Sequence, residues 1–432
     1  MEYLWEADVS APHFNSLTEN VSTDVLVVGG GMAGVLCAAL LRERGVDCLL
    51  AEAKTIGSGV TKGTTAVLSA QHDTLYTDLI KRFGTQKAAQ YLDANRNAVN
   101  RFRQLAEKIP CDFEEKASYM YSRTDSNALS REAETVNRLG FPAEFTTQTN
   151  LPFPVAGAVR YPGMAQFHPL KFLYGAAGGL KIFENTFIHR IADSIAYTNS
   201  GKISARKIII ATHFPFIDRR GLYFMKLYQM RSFVVALENA PDLDGTYVDT
   251  AESGMYFRNY KGLLLVGGGD HRTGKPGGGF EAVRTFCRRY FPEAREKYTW
   301  ATQDCMSLDG VPYIGTYSPA TPDLYVATGF NEWGMTSSMV AAVILADMVT
   351  GHEYAFSNIF SPDRSMLRTQ LFANMGATIS DFIIPTTKRC SHLGCALRWN
   401  SAEHTWDCPC HGSRFNEHGT LIDNPATKDV SL

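Results

Sequence analysis

The stretch DVLVVGGGMAG, residues 24–34, decides how the rest of the chain reads. Asp24–Val28 is a short apolar run of the kind found in strands buried on both faces of a parallel sheet. Gly29, Gly31 and Gly34 fit G-x-G-x-x-G, and a helical pattern running from Met32 to Arg44 ends at Gly45. The next strand is expected at Asp47–Glu52, which puts Glu52 eighteen residues beyond Gly34. Alone, the glycine pattern is weak. Set between a strand and a helix, with an acid closing the following strand, it predicts a dinucleotide-binding βαβ unit. Gly29 permits the tight turn, Gly31 lets the backbone approach a pyrophosphate, Gly34 lets helix and strand touch, and Ala33 lies in the same turn. The helix N-terminus offers N–H groups to the phosphates, and Glu52 is expected to accept from the adenosine ribose hydroxyls.

A second strand–turn–helix follows much later, at Leu324–Thr328, Gly329, Gly334 and Thr336–Val349. It aims another helix N-terminus at a ligand, with Gly329, Gly334, Met335 and Thr336 as candidate contacts, and such a terminus stabilises the negative charge of a reduced flavin ring. Gly267–Gly279 does not carry the dinucleotide pattern in the right setting, so no separate nicotinamide site is predicted. Between the two turns, residues 77–110 and 130–138 read as helix, Lys207–Ala211 as a buried strand, and 231–270 as antiparallel sheet.

Composition narrows the function classes. The 432 residues are 45% hydrophobic and 20% charged, which fits a globular chain of about two to four domains. A net charge of −2 gives no general basis for nucleic-acid binding. Val25–Leu41 is uncharged, but it is glycine-rich and shorter than the roughly 20 apolar residues of a membrane span. Residues 1–24 contain Glu2, Glu6, Asp8, Glu19 and Asp24 but no Lys or Arg, so no export signal and a cytoplasmic location are expected.

The C-terminal fifty residues carry the sharpest signal. Cys390-Ser-His392-Leu-Gly-Cys395 is followed by Cys408-Pro-Cys410-His411-Gly-Ser413, so each of two loops supplies one Cys and one His. Zinc accepts two Cys and two His, but its usual spacing puts both cysteines in one loop and both histidines in another. The paired C-x-H and C-x-x-H pattern resembles a Rieske [2Fe–2S] domain. The resemblance implies Cys390, His392, Cys408 and His411 as cluster ligands. It also implies a Cys395–Cys410 disulfide between the loops, with free thiols as the alternative in a reducing compartment. It implies that Ser413 donates to a sulfur, that Pro425 lies in the covering loop, and that Phe415 lacks the hydroxyl that raises the potential in high-potential members.

Residues 24–80 and 300–350 resemble the D-amino-acid-oxidase-like FAD-dependent oxidoreductases through DVLVVGGGMAG, LDGVPYIG at 308–315 and LYVATGFNEWGMTSSM at 324–339. With TTAVLSAQHDTLY at 64–76, LLLVGGGDHRTG at 263–274 and WATQDCMSLDGVPYIG at 300–315, the whole chain is similar to FAD oxidoreductases with a fused C-terminal Rieske domain, a type found in Bacillus. The implied fold is a doubly wound, Rossmann-like α/β FAD domain over 1–350, interleaved with an α+β substrate domain at about 81–150 and 225–300. A linker at 351–381 and a small all-β Rieske domain at 382–432 complete it.

Three residues are candidate catalytic or substrate contacts. Arg258 is placed where related amine oxidases hold a carboxylate; the alternative is a strand Arg. His271, after the Gly267–Gly269 turn, is a candidate base or flavin-orienting residue, or a surface-loop histidine. His72 is a candidate neighbour of the flavin ring, or a satisfied buried histidine. Cys305, just ahead of Leu308–Gly315, is a candidate for covalent FAD attachment against a plain packed thiol. The expected reaction is oxidation of an amine, amino acid or related small molecule by hydride transfer to FAD. Electrons then pass singly through the cluster to an external carrier, such as ferredoxin or a quinone-linked protein, with little oxidase activity. Two alternatives stand beside it: a reductase running from a ferredoxin-like donor through cluster and FAD to substrate, and an electron-transfer or redox-sensing module without a small-molecule substrate. A homo-oligomer that places one chain's cluster beside another's flavin is compatible with the sequence.

Overall fold

In a computed structural model of the chain, residues 1–217, 220–354 and 356–432 are described. The apolar run at the start of the glycine motif forms the strand Val21–Val28, and its burial on both faces follows from its place at the centre of a sheet. It pairs in parallel with Cys48–Ala51 on one side and with Lys202–Ile210 on the other. Lys181–Phe183 and Leu324–Thr328 extend the parallel array outward. The antiparallel strand Tyr313–Thr316 closes one edge, and a hairpin of Ile188–Ala192 and Ile195–Thr198 joins Lys202–Ile210. The helices Met32–Glu43 and Gly334–Val349 cover this sheet, and both begin beyond the carboxyl ends of its strands. The two glycine turns therefore open on the same edge, where open α/β sheets bind ligands.

A second sheet runs in the order Arg295–Ser307, Leu227–Glu238, Leu263–Arg272, Tyr256–Tyr260, Thr246–Asp249, Glu114–Ser122, Gly157–Gln166 and Val67–Leu68. It is antiparallel except where Thr246–Asp249 lies parallel to Glu114–Ser122. This sheet reaches past the expected substrate segments of 81–150 and 225–300. It recruits Gly157–Gln166 and continues to Ser307. The helix expected over 77–110 is two helices, Leu75–Phe83 and Thr85–Ala106, divided at Gly84, whose φ of +83° leaves the helical region. The C-terminal unit is a four-stranded antiparallel sheet of Arg398–Asn400, Thr405–Asp407, Arg414–Asn416 and Leu421–Asp423.

The segment read as a linker, 351–381, carries helices at Ser357–Phe360 and Thr369–Phe382. Its first part is tied down by Arg364. That guanidinium meets the buried Asp309 carboxylate at 2.7 and 2.8 Å, donates to the Pro312 carbonyl, and lies over the Tyr313 ring. The LDGVPYIG stretch is thus held from outside the sheet by the connector.

The C-terminal domain is clamped to the second sheet. Arg231, 2% exposed, forms a bidentate pair with the buried Glu403 carboxylate, and Arg414 approaches the same carboxylate at 2.9 Å. Substituting Glu403→Gln leaves two guanidinium groups buried without that charge. Breaking a buried pair of this kind costs about 3–5 kcal/mol. The variant is expected to show a lower melting temperature and faster proteolysis between residues 383 and 398 than the parent protein.

Candidate functional site

The first glycine turn has the geometry of a phosphate cradle. Gly29 has φ +111°, and a Cβ there would lie 2.5 Å from the Ala211 carbonyl oxygen. A Cβ at Gly34 would run into the carbonyl of Gly29, so strand end and helix start touch directly. Gly31 caps the helix and Ala33 is buried in its first turn. The Glu52 carboxylate accepts from Gly30 N at 2.6 Å and from Lys54 N at 2.8 Å, and burial raises its pKa. At the second turn, Gly329 has φ +70°, Gly334 and Met335 line a cavity, and the Thr336 hydroxyl donates to Ser69 O at 3.2 Å.

That cavity, about 990 Å³ when the open solvent at its mouth is included, lies between the second sheet and the second glycine turn. Its apolar walls include Tyr247, Tyr256, Phe257 and Trp333, and its polar lining includes three acids, Asp73, Asp304 and Glu332. Among the described residues no Lys, Arg or His lines it. Asp73 and Glu332 are exposed to the open cavity and Asp304 is half-buried, while the cavity walls surround all three. Burial pushes Asp304 up to about 7 and raises Asp73; Glu332 is raised by burial and then by Asp270, Asp304 and Asp73. Asp270, behind Tyr256, is pushed up to about 6 by burial. The sequence reading missed these residues. An acid in a glycine turn, such as Glu332, is ordinary turn chemistry, and Asp304, though inside the WATQDCMSLDGVPYIG stretch at 300–315, has no spacing to another acid that marks it.

The back wall of the cavity is the strand pair Leu227–Glu238 and Arg295–Ser307, registered Ser232 to Thr302, Met230 to Asp304 and Arg231 to Gln303. Side chains alternate across a strand. Ser232, Thr302 and Asp304 consequently face the cavity, while Gln229, Arg231 and Gln303 face the C-terminal domain.

The three catalytic candidates lie outside the lining. Arg258 is 1% exposed. Its Nη1 donates to the carbonyls of Thr65, Ala66 and Phe167, and the guanidinium lies over the Trp5 and Tyr260 rings. Although Tyr256 of the same strand parity lines the cavity, Arg258 itself does not; its hydrogen bonds hold the Thr65–Ala66 segment from behind. His271 stacks on Phe233 at 5.3 Å and contacts Gly269 O. His72 is buried, with Nε2 donating to Ser69 O at 3.0 Å and Nδ1 accepting from the Tyr91 hydroxyl at 2.7 Å. Burial pushes it down to about 3, and it stacks beneath the cavity-lining Trp333 at 4.8 Å. A histidine held neutral this way supports the wall and is not poised as a base. Cys305 faces the opposite side of its strand from Asp304, and burial pushes its thiol up to about 12, which does not suit covalent attachment.

In the C-terminal domain the Cys390 and Cys408 thiols lie in hydrogen-bond contact, an arrangement that favours ionisation of Cys390. The His392 and His411 rings meet edge to face at 4.9 Å. Cys395 and Cys410 are joined in a disulfide, and the Cys408 sulfur lies within 4.8 Å of both of its sulfurs. Ser413 hydrogen-bonds Cys390 while accepting from Ala426 N at 3.0 Å. His411 Nδ1 is buried without a hydrogen-bond partner, and burial, then His392 and Arg272, hold the imidazole neutral. An orphaned ring nitrogen beside two convergent thiols fits a cluster that takes thiolates on one iron and imidazoles on the other. The glycine cradle and Glu52 likewise fit the dinucleotide half of FAD.

The cluster loops rest on the back wall. Gln229 Nε2 donates to His411 O at 2.7 Å and Gln303 Nε2 to Gly412 O at 2.9 Å. Arg272 donates to the carbonyls of Pro409 and Cys410, and Asn424 to those of Thr212 and Phe214.

Comparison with known proteins agrees with this geometry. Residues 24–348 match the family of FAD dependent oxidoreductases, and residues 371–431 match the Rieske [2Fe-2S] domain, so the match takes in the helix Thr369–Phe382 almost from its start. The chain is 31% identical to the Rieske 2Fe-2S iron-sulfur protein YhfW of Bacillus subtilis, over 99% of this chain and 97% of that one. It is 24% identical to gamma-glutamylputrescine oxidoreductase of Escherichia coli, over 82% and 89%. Glycine oxidase of Geobacillus kaustophilus superposes with a TM-score of 0.67 at 23% identity, over 80% of this chain and 99% of that one.

Two substitutions separate the centres. Gly34→Val drives a side chain into the Gly29 carbonyl, and the purified protein is expected to lose its flavin absorbance while keeping the cluster's EPR signal. His411→Ser is expected to do the reverse.

Proposed function

Because the chain belongs to the FAD dependent oxidoreductase family and carries a Rieske domain, we propose that it dehydrogenates a small cationic amine and releases the electrons singly to an outside carrier. FAD and the [2Fe–2S] cluster supply the redox chemistry, a two-electron acceptor joined to a one-electron relay. Gly29, Gly31, Ala33, Gly34 and Glu52 would hold the dinucleotide, with Gly329, Gly334, Met335 and Thr336 at the second helix N-terminus. Cys390, His392, Cys408 and His411 would hold the cluster.

The observation that carries the substrate half is the charge of the cavity. Three carboxyls in an apolar chamber are costly to ionise without a counter-charge, and the lining supplies none. A protonated amine would provide one. The Asp304 carboxylate, populated above about pH 7, can then accept the ammonium proton, becoming the neutral acid, and free the nitrogen lone pair for oxidation of the adjacent C–H. An amino acid would bring a carboxylate into the same acidic chamber, with Arg258 walled off behind Thr64–Ala66. The E. coli relative, by name, acts on a putrescine derivative, which agrees with an amine substrate. An open cavity walled by apolar and aromatic side chains with a few convergent polar groups supports a small-molecule substrate over a bare electron-transfer module.

The wall supports the electron-transfer half. One sheet, on the order of 10 Å through, separates Asp304 from the loops that Gln229 and Gln303 hold, which supports an electron route within one chain. Among the described residues no helix is long and apolar enough to cross a membrane.

Under anaerobic conditions, primary and secondary amines are expected to bleach the flavin and then raise the cluster signal, whereas zwitterionic amino acids leave both unchanged. Bleaching by amino acids at equal rates would sink the reading. The Asp304 pKa is raised, so its carboxyl is neutral below about 7 and charged above it. KM for an amine that stays protonated should therefore fall between pH 6 and pH 8. Asp304→Asn should remove this pH dependence and raise KM by about tenfold or more, the worth of one charge-assisted hydrogen bond.

A further inference from the structure

The helix Thr369–Phe382 buries Leu371 and two polar side chains and exposes most of its large apolar ones. Asn374 and Asp381 are buried against the body. Asn374 Oδ1 accepts from Arg272 at 2.9 Å, and the Asp381 carboxylate accepts from Lys275 at 2.7 Å and from Arg398 at 3.2 Å. On the other face Phe372, Met375, Ile379 and Phe382, spaced by three, four and three residues, are 65%, 40%, 60% and 55% exposed, and Ile383 is 73% exposed. This reverses the pattern of a surface helix. A contiguous exposed apolar patch marks an interaction site.

The patch is continuous with the cluster loop. A Cβ at Gly394 would lie 3.5 Å from the Phe382 ring, and the exposed Leu393 directly follows His392. Its surroundings are basic. Between Asp363 and Glu403, Arg364 is spent on the buried Asp309, but the same segment adds Arg368, Lys388, Arg389 and Arg398 against one acid, Asp381, which is buried and paired with Lys275 and Arg398. Lys388 lies over the Trp406 ring, and Arg389 donates to main-chain carbonyls of Phe382, Ile384 and Gly394. In a chain of net charge −2 this is a local cationic face.

We propose that this face docks a small acidic one-electron carrier protein, with the apolar stripe at the centre of the contact and the basic rim against the carrier's carboxylates. The arrangement matches the apolar core and polar rim of transient interfaces, and the charges steer encounter. In each encounter one electron passes, oxidising the cluster and reducing the carrier by one. The inference rests on the reading that the cluster serves an outside carrier.

The test is calorimetric titration of the oxidised holoprotein with an oxidised acidic [2Fe–2S] ferredoxin, so that neither substrate nor turnover enters. Binding is expected to weaken as salt rises to about 0.5 M. Kd is expected to rise by about tenfold or more in the double variant Phe372→Ser/Ile379→Ser, and separately in Lys388→Glu. Both variants should keep the cluster's EPR spectrum and, after dithionite reduction, should reduce ferricyanide at the parent rate. Unchanged ferredoxin affinity in both variants overturns the proposal. So does flotation of the parent, but not of the double variant, on phosphatidylglycerol vesicles without ferredoxin binding, which would make the face a membrane contact. A parent dimer that the double variant dissolves would assign the face to a second copy and overturn it equally. If ferredoxin binds here yet no amine bleaches the flavin, the docking stands and the substrate reading fails.

Discussion

The alternation of side chains along two neighbouring strands governs this molecule. Leu227–Glu238 and Arg295–Ser307 send Ser232, Thr302 and Asp304 into the cavity and Gln229, Arg231 and Gln303 into the cluster domain. A one-residue slip between these strands and their surroundings would exchange the two sets and destroy both sites. The long register between them, from Leu227–Ser307 to Glu238–Arg295, sets the position of one centre against the other.

The contacts that fasten the cluster domain are of two kinds. The amides of Gln229 and Gln303 satisfy main-chain carbonyls of the loop, and Gln303 also bonds Gln229 and Thr273. The Arg231–Glu403–Arg414 cluster is a different case, because desolvating these charges offsets much of their attraction. Its value lies in specificity: a guanidinium buried at 2% exposure tolerates one docking pose, the one that brings the carboxylate to it.

Much of this was legible in the chain. DVLVVGGGMAG predicted the central strand, turn and helix because a doubly buried strand leaves an apolar run and a phosphate turn needs glycine. The Cys–His loops were legible because cluster ligation fixes both residue types and spacing, and the disulfide that the resemblance implied is present. The acids of the cavity were not legible, since Asp73, Asp304 and Glu332 converge only when a strand, a loop and a turn far apart in sequence meet. Arg258, His72 and His271 were singled out by their neighbours in sequence; the fold buries the first two and sets all three outside the cavity lining. The helix at 369–382 escaped notice because periodicity is read on the assumption that apolar faces turn inward, and this one turns outward.

The shared wall also shapes how such a protein can diverge. On these two strands, positions of one parity answer to the cavity and, on the proposed reading, to its substrate, and those of the other answer to a domain that has to stay seated. Change in substrate should therefore leave a two-residue rhythm in a set of related sequences, variable at 232, 302 and 304 and restrained at 229, 231 and 303. A lineage that lost the cluster domain would be released at the second set while the first kept its history.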